Sequence, residues 1–458
     1  MNKVPREIFK AYDIRGIVDT VLTNDVAEKI GHAIGSEARE RKLDSIAIGR
    51  DGRLSSPSLT QALTKGLQKS GLQVIDVGAV PTPMLYFAAH QLCNYTGVMI
   101  TGSHNPPDYN GLKIVLGGET LAAETIQALR IRIENNNLMY GEGNYKTHVI
   151  TPTYFQRIIS DVKLTRPIKI VVDCGNGVTG AFAPILYRNM GCEVIELFCE
   201  VDGTFPNHHP DPSVPKNLQD VIYALKTTDA EIGFAFDGDG DRLGLVTKDG
   251  SIIYPDRQLM LFAADILTRN PGGQIIFDVK CTRNLVTWIE QHGGKPIMWK
   301  TGHSFIKGKL KETGALLAGE MSGHIFFKER WYGFDDALYA AARLLELLSN
   351  QDDINATLHA LPDALNTSEL QIKLKEGENH ALIEQLQKNA HFDNPERVIT
   401  TDGLRVEYKD GFGLIRASNT TPVVVLRFEA DDTIALQRIQ QDFRNIILQF
   451  KPDAILPF

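Results

Sequence analysis

Three carboxylates, those of Asp237, Asp239 and Asp241, stand at alternate positions with glycines between them. The glycines let the backbone curl, so that all three side chains could reach one hard cation. A few carboxylates supplemented by phosphate or water oxygens form the ligand set that Mg²⁺ prefers, which predicts one Mg²⁺ per chain. A solvated acidic turn is the alternative, and the apolar run at 232–236 directly before the carboxylates argues against it.

Two other classes of protein use a similar acidic loop. An EF-hand loop needs glycine at its sixth position and glutamate at its twelfth, where this chain has Arg242 and Lys248. Calcium sensing is therefore disfavoured. A Mg²⁺-dependent phosphosugar phosphatase, in which Asp237 attacks the phosphate, is a stronger alternative because it also places an aspartate pair after a strand.

Ser103 is a candidate nucleophile in the sequence Thr-Gly-Ser-His-Asn-Pro, directly after the apolar run at 97–100. The strand on one side and the prolines at 106 and 107 on the other would hold its hydroxyl on a rigid projection. Two cations, Arg15 and Lys113, could stabilise a phosphoryl group in transfer. A phosphorylated Ser103 could also complete the coordination of Mg²⁺. A simple polar cap is the alternative interpretation of this short sequence.

Two further loops could bind the ends of a phosphosugar. The sequence Gly-Glu-Met-Ser-Gly-His, which begins at Gly319, offers a carboxylate and a hydroxyl for vicinal sugar hydroxyls. The sequence Arg-Ala-Ser-Asn-Thr, which begins at Arg416, could donate several charge-assisted hydrogen bonds to a phosphate dianion. His303 is a candidate proton carrier or phosphate ligand. Each sequence is also a common composition for turns, so none is decisive alone.

The elements that must position these loops alternate between short apolar runs and helical periodicity, as in parallel sheets with crossover helices. The sequence predicts strands at 46–49, 72–77, 97–100, 168–172, 192–198, 232–236, 274–279, 296–299 and 315–318. It predicts a helix that starts at Ser56 and is capped by Gly71. Three strands each deliver a polar loop, which indicates three α/β units whose loops meet at one cleft.

The final part of the chain has a different pattern. It contains hairpin signals at Asp402-Gly403 and Asp410-Gly411 and a helix from about Thr433 to Gln449. We therefore predict a smaller α+β domain there. The predicted domains are 1–150 with the serine loop (101–106), 151–252 with the metal loop (237–242), 253–364 with the sugar loop (319–324), and 365–458 with the phosphate loop (416–420).

Composition excludes several classes of partner. The 458 residues include 48 Lys and Arg against 56 Asp and Glu, a formal charge of −8, which disfavours nucleic acid. The five cysteines form no C-x-x-C pair, so neither a disulfide framework nor a zinc site is expected. No window approaches about 18 uninterrupted apolar residues and the first ten contain no apolar leader, so we expect a cytoplasmic protein with no membrane contact.

Taken together, the four loops resemble those of the α-D-phosphohexomutase family, in the same order, over a match from Tyr12 to Pro422. The resemblance implies three consecutive similar α/β domains with mixed sheets, plus a smaller C-terminal α+β domain, around a central cleft. It assigns catalytic roles to Ser103, His104, Lys113, Arg15 and Arg242, and metal ligation to Ser103, Asp237, Asp239 and Asp241. It assigns substrate binding to Tyr12, Lys280, His303, Glu320, Met321, Ser322, Gly323, His324, Arg416, Ala417, Ser418, Asn419 and Thr420.

The implied reaction is the reversible conversion of hexose 1-phosphate and hexose 6-phosphate by a monomer. Phospho-Ser103 would form a bound hexose 1,6-bisphosphate, which turns end for end before the serine takes back the other phosphoryl group. Lys113, His104 and His303 all remain candidates for moving the proton of the sugar hydroxyl. A hinged fourth domain would allow the turn.

The sugar loop resembles that of the bacterial phosphomannomutase/phosphoglucomutase branch. Met321 occupies the position where phosphoglucosamine mutases usually carry Gln. Mannose and glucose phosphates are therefore the expected substrates, with glucosamine phosphates as the alternative. The sequence does not distinguish between mannose and glucose.

Overall fold

Four β-sheets follow one another along the chain in a computed structural model, which describes residues 3–375, 377–419 and 421–458. The first sheet contains strands β1 (Ile14–Ile17), β2 (Ser45–Arg50), β3 (Gln73–Ala79), β4 (Gly97–Ile100), β5 (Tyr109–Leu116), β6 (Glu119–Thr120) and β7 (Tyr145–Thr147). Its helices are α1 (Asn24–Glu40), α2 (Ser56–Lys69), α3 (Thr82–Leu92) and α4 (Glu124–Glu134). The strand order is β1-β5-β4-β2-β3-β7, with β6 paired to β5.

This first sheet is mixed rather than parallel throughout. Strands β4, β2, β3 and β7 are parallel neighbours, whereas β5 runs antiparallel to both β4 and β1. The parallel pattern that the alternation predicts is confirmed for β2, β3 and β4. The antiparallel strand β5, which the sequence does not predict, makes the sheet mixed, as the family resemblance implies. The physical reason is connection length, because the segment 101–108 is too short to hold the crossover that a parallel neighbour needs.

The second and third sheets repeat this plan. The second contains β8 (Lys169–Asp173), β9 (Glu193–Leu197), β10 (Ile232–Phe236), β11 (Leu243–Thr247) and β12 (Ile252–Ile253), in the order β12-β11-β10-β8-β9, with helices α5 (Thr151–Asp161), α6 (Ala183–Asn189) and α7 (Gln219–Thr227). The third contains β13 (Gln274–Asp278), β14 (Lys295–Trp299), β15 (Leu317–Gly319) and β16 (Ile325–Phe327), in the order β14-β13-β15-β16, with helices α8 (Pro255–Arg269), α9 (Asn284–Gln291), α10 (His303–Thr313), α11 (Ala337–Leu348) and α12 (Ile354–His359).

The fourth sheet is antiparallel. It contains β17 (Leu365–Asn366), β18 (Leu370–Lys373), β19 (Arg397–Ile399), β20 (Leu404–Tyr408), β21 (Gly411–Ala417) and β22 (Val423–Ala430), with helices α13 (Glu378–Asn389) and α14 (Thr433–Phe450). Both hairpin predictions and the final helix are confirmed. The exact domain boundaries stay predictions.

One apolar core joins the first three sheets, whereas the fourth has its own. Phe87 of α3 and Tyr154 of α5 lie 5.4 Å apart, and Trp331 stacks on Tyr339 of α11 at 4.0 Å, all within the shared core. The fourth sheet packs against α14 through a separate cluster that includes Phe443. None of the described helices is long and apolar enough to cross a membrane.

Candidate active site

Each of the four predicted loops connects two antiparallel neighbours. The serine loop joins β4 to β5, the metal loop β10 to β11, the sugar loop β15 to β16, and the phosphate loop β21 to β22. Such a connection turns the chain at the end of a strand, so polar side chains project from the edge of each sheet. Residues of all four loops line one cleft of about 620 Å³, among them His104, Arg242, Glu320 and Arg416.

Ser103 lies beside the metal loop and is 2% exposed. Its hydroxyl donates to Asp237 Oδ2 at 2.9 Å, and its Oγ is 3.1 Å from His104 Nδ1. The backbone at Ser103 has φ +49°, a left-handed conformation that a non-glycine residue adopts only when its surroundings hold it there. The serine is therefore fixed in place by the fold.

Arg53 supplies much of that fixation and was not predicted from the sequence. Its guanidinium, which is buried, donates to the carbonyl oxygens of Ser103 at 2.8 Å, Asn105 at 2.6 Å and Tyr109 at 3.0 Å, and also to that of Pro106. Asp51 in turn holds Arg53 at 3.2 Å and accepts from the backbone of Gly102 at 3.0 Å. Arg53 is a positioning residue, because it contacts the loop backbone and not the cleft.

We expect Arg53→Lys to lower kcat by about 10- to 100-fold with KM changed less than about threefold, because lysine cannot form the planar fork that orients the loop. Steady-state kinetics would measure both constants. Arg39→Lys, on the outer face of α1, is the matched control. An unchanged kcat in the Arg53 variant would show that Arg53 does not position the serine loop for catalysis.

The three aspartates of the metal loop are buried, and their ligand atoms lie within 4.8 Å of one another. The Oδ1 atoms of Asp239 and Asp241 have no hydrogen-bond partner within the described residues. Three buried carboxylates, two of them with an oxygen that accepts no hydrogen bond there, are a favourable environment for a hard cation. The candidate acidic metal site is therefore present in the fold.

The two glycines between the aspartates are required by close packing. A side chain at residue 238 would come within 2.4 Å of the Ser103 carbonyl oxygen, so the metal and serine loops touch through backbone. Gly240 has φ +75°, and a side chain there would come within 2.4 Å of Thr179 Oγ1. The alternation of aspartate and glycine thus reflects both ligation and the approach of the two loops.

Lys113 projects from β5 into the carboxylate cluster. Its ammonium lies 2.7 Å from Asp239 Oδ2 and also pairs with Asp241. Burial alone would lower the pKa of Lys113, but Asp239 and Asp241 outweigh it and raise the pKa above its ordinary value. Lys113 is consequently a cation at neutral pH in this arrangement and not a proton acceptor.

Three histidines in the cleft differ in charge. Burial lowers the pKa of His104 and of His303 well below the ordinary value, with nearby cations adding to the effect, so both are neutral at pH 7. For His324, burial opposes the charge, but Asp241 at 3.3 Å and Glu320 at 3.1 Å raise the pKa to about 9. His324 is therefore a buried cation between the metal and sugar loops.

The sugar loop is held from two sides. Glu320 accepts a hydrogen bond from the backbone of Gly302 at 2.5 Å, and the Met321 backbone donates to Asp278 at 3.2 Å. Met321 and Ser322 both line the cleft. The Ser322 Oγ lies 2.9 Å from His324 Nδ1.

The phosphate loop and Lys280 place two cations, Arg416 and Lys280, in the lining of the cleft. Arg416 donates to Asp402 at 3.0 Å, and Lys280 pairs with Glu369 at 2.5 Å. Burial raises the pKa of Tyr12, whose ring lies 5.9 Å from that of His303. A phosphate entering here would compete with Asp402 and Glu369 for their cations.

The structure brings most of the predicted residues together. The cleft is lined by Tyr12, His104, Arg242, Lys280, His303, Glu320, Met321, Ser322, His324, Arg416 and Ser418. Ser103, Lys113 and the three aspartates lie buried beside it, and Arg15 reaches Asn105 of the serine loop from β1. Gly323, Ala417 and Asn419 belong to the sugar and phosphate loops, whereas Thr420 lies outside the described residues.

Several carboxylates of the site were missed. Asp335 lies 3.8 Å from His303 and 3.0 Å from Lys307. Asp402 pairs with Arg416, and Glu369 pairs with Lys280. The sequence indicates Asp402 only as part of a hairpin signal. No local pattern marks the other two, because their roles depend on partners distant in sequence.

Models of the phosphoglucomutase/phosphomannomutase family match four successive segments of the chain. They are α/β/α domain I at residues 6–139, α/β/α domain II at 152–250, α/β/α domain III at 254–365, and the C-terminal domain at 369–446. The matched segments contain every loop described above. They cover well over half of the chain.

Curated and solved relatives agree with this match over full length. The chain is 60% identical to a phosphoglucomutase of Neisseria meningitidis, with 100% of both chains covered, and 57% identical to a phosphomannomutase/phosphoglucomutase of Pseudomonas aeruginosa, with 99% and 98% covered. A crystal structure of a phosphoglucomutase/phosphomannomutase family protein from Burkholderia thailandensis superimposes with a TM-score of 0.96 at 58% identity, covering 99% and 100%. The chain thus belongs to the α-D-phosphohexomutase family, in its bacterial phosphomannomutase/phosphoglucomutase branch.

Proposed function

We propose that this protein is a phosphohexomutase that interconverts hexose 1-phosphates and hexose 6-phosphates through a phosphoserine at Ser103. The observation that carries the proposal is the contact between the Ser103 hydroxyl and Asp237 at 2.9 Å, inside a cluster of three buried carboxylates. A phosphoryl group on this serine would lie next to the candidate metal site. The cations Lys280 and Arg416 would hold the second phosphate of the sugar.

The resident ion we propose is Mg²⁺, held by Asp237, Asp239, Asp241 and the oxygens of phospho-Ser103. When bound, Mg²⁺ supplies positive charge that neutralises the phosphoryl group in transfer. Lys113 and Arg242 add fixed positive charge beside the same carboxylates. Glu320 and Ser322 would bind sugar hydroxyls. The backbone N–H of Gly302 holds the Glu320 carboxylate, and Asp278 accepts a hydrogen bond from the Met321 backbone.

The chain's own residues limit which group accepts the sugar proton. Lys113 is protonated, whereas His104 and His303 are neutral and line the cleft. His303 Nδ1 has no hydrogen-bond partner within the described part of the chain. We propose that one of these two histidines takes the proton, with His104 near the serine and His303 near the sugar loop.

The reaction requires the bound hexose 1,6-bisphosphate to turn end for end, so that each phosphate occupies both places in succession. We propose that the fourth domain loosens during the turn. This motion would break hydrogen bonds between the third and fourth domains. Arg405 donates to the carbonyl oxygens of Val279 and Cys281 at 2.7 Å, and Glu429 accepts from the Thr282 hydroxyl at 2.8 Å. Small-angle scattering with and without the bisphosphate would test this. A monomeric state and a cytoplasmic location stay predictions.

A phosphatase with Asp237 as nucleophile is the alternative from another class. Both oxygens of Asp237 are already engaged, since Oδ1 accepts from the backbones of Asp241 and Arg242 and Oδ2 accepts from Ser103. A carboxylate held in this way is a poor attacking group. The arrangement therefore favours the serine as the group that carries phosphate.

Product analysis distinguishes the two reactions. With glucose 1-phosphate, Mg²⁺ and a trace of glucose 1,6-bisphosphate, we expect glucose 6-phosphate to accumulate with little inorganic phosphate. Net release of phosphate would contradict the mutase proposal. Repeating the assay with mannose and glucosamine phosphates measures the sugar preference, and we expect both mannose and glucose phosphates to exceed glucosamine phosphates in kcat/KM.

A further inference from the structure

A second cavity, of about 310 Å³, lies between the first and third domains and shares no lining residue with the catalytic cleft. We call it the aromatic pocket. It is lined by Tyr86, Ala89, His90, Tyr95, Val115, Gly117, Gly118, Thr120, Lys307, Leu310, Lys311, Lys328, Tyr332, Gly333 and Phe334. Its volume lies in the range of small-molecule sites.

Aromatic side chains form much of the wall of the aromatic pocket. His90 packs against Tyr95 at 4.4 Å and against Tyr332 at 4.2 Å between ring centroids, and Phe334 stacks parallel to Tyr332 at 6.0 Å. Burial lowers the pKa of His90, so this ring is neutral at pH 7. Tyr95 is 46% exposed, which leaves part of its ring available to a ligand. These surfaces suit a planar ring better than a hydroxyl-rich sugar.

The charge in the aromatic pocket opposes that of the whole protein. Of the residues that the structure describes, three lysines and no carboxylate line it, whereas the chain carries a formal charge of −8. Lys311 and Lys328 have no ion-pair partner within the described residues, and the Lys311 ammonium lies over Gly118, 3.9 Å from where a side chain would begin. The carboxylates adjacent in sequence are engaged elsewhere, Glu119 by Arg41, Glu312 by Lys309, and Glu329 by Arg269 and Arg343.

We propose that the aromatic pocket binds a nucleoside phosphate, with the base against His90, Tyr95 and Tyr332 and the phosphate on Lys311 and Lys328. A base supplies the planar ring that the walls accommodate, and a phosphate supplies the anion that the two unpaired ammonium groups attract. Glycines stand at three lining positions, 117, 118 and 333, and add no side chain to the cavity.

The aromatic pocket has a direct connection to the catalytic cleft. Lys307 lines the pocket and pairs with Asp335 at 3.0 Å, and Asp335 faces His303 across 3.8 Å. Lys307 and His303 lie on the same helix, α10, which begins at His303. Occupation of the pocket could therefore alter the position of His303.

Calorimetric titration of the full-length protein with AMP and with UMP tests the proposal. We expect saturable binding of at least one nucleotide at one site per chain, not displaced by excess glucose 1,6-bisphosphate. The free nucleoside and inorganic phosphate should each bind more weakly than the nucleotide. Lys311→Glu/Lys328→Glu should weaken nucleotide binding by at least about tenfold, while kcat and KM for glucose 1-phosphate without nucleotide stay unchanged.

Lys309→Glu is the matched control, because Lys309 lies on the same helix but pairs with Glu312 outside the aromatic pocket. It should leave nucleotide affinity unchanged. Tyr95→Ala tests the ring independently of charge and should also weaken binding. The proposal is overturned by the absence of saturable binding, by displacement with the sugar bisphosphate, or by equal affinity for phosphate and nucleotide. Loss of binding in the control to the same extent as in the double variant would overturn it as well.

Discussion

Replacing Ser103 with alanine is expected to lower kcat/KM for glucose 1-phosphate by roughly four orders of magnitude or more. The hydroxyl is the proposed carrier of the phosphoryl group, and no other hydroxyl among the described residues donates to the metal-loop aspartate Asp237. The variant should also fail to take up a phosphoryl group from hexose 1,6-bisphosphate. A coupled assay of glucose 6-phosphate and the intact mass of the protein measure the two effects.

Ser58→Ala is the control, since Ser58 is an exposed residue of α2 whose hydroxyl, within the described residues, donates only to the backbone carbonyl of Ser55. It should retain full activity and accept one phosphoryl group. The fold of the Ser103 variant should persist, because the Arg53 contacts to the loop use backbone oxygens and not the serine side chain. Substantial turnover by a correctly folded Ser103 variant would contradict the phosphoserine mechanism.

Removing divalent metal with a chelator is expected to lower activity by about a thousandfold or more, and added Mg²⁺ should restore it. Among the described residues, Lys113 is the one ammonium group that pairs with these three carboxylates, and Asp241 also pairs with His324. Burial together with the other two carboxylates raises the pKa of Asp237 well above its ordinary value. The bound ion stabilises the folded state as well as the reaction, so chelation should also lower the melting temperature.

Asp239→Asn should raise the Mg²⁺ concentration needed for half-maximal activity, because it removes one charged ligand. Asp249→Asn is the matched control in the same domain, where the carboxylate pairs with His359 at 2.8 Å in a turn and lies outside the metal loop. It should leave the Mg²⁺ requirement unchanged. Full activity after exhaustive chelation, or the same Mg²⁺ requirement for Asp239→Asn and Asp249→Asn, would exclude the metal loop as the metal site.

Sequence patterns predicted the four loops, because each loop is contiguous, and the strands before the first three, because those strands are apolar runs. The strand before the fourth loop, β21, was indicated only by the hairpin signal at Asp410-Gly411. Strands β1 and β5 were not predicted. They carry Arg15 and Lys113, charged residues that reach the serine loop and the metal loop and interrupt the apolar pattern. The strands that support chemistry directly are thus the ones that hydrophobic periodicity describes least well.

The positioning residues and the charges of the site could not be predicted from the sequence, because they depend on contacts between residues that are distant in the chain. Arg53 holds a loop about fifty residues further on, and Asp335 faces His303 from another segment. The charges of Lys113 and His324 could not be predicted from the sequence either. Both are buried, and carboxylates that include Asp241, which the fold brings near, keep them positively charged. The sequence left Lys113, His104 and His303 as candidates for the general base, and only the contacts of Lys113 with the aspartates exclude the lysine.

The fate of the phosphoryl group on Ser103 in a single turnover tests the central claim most directly. Enzyme phosphorylated with radiolabelled phosphate is mixed with unlabelled glucose 6-phosphate, quenched at short times and separated into protein, bisphosphate and inorganic phosphate. We expect the label to pass from the protein to glucose 1,6-bisphosphate and then to partition between the sugar and the enzyme. Label that appears directly as inorganic phosphate, or that stays on the protein while glucose 1-phosphate forms, would contradict the account.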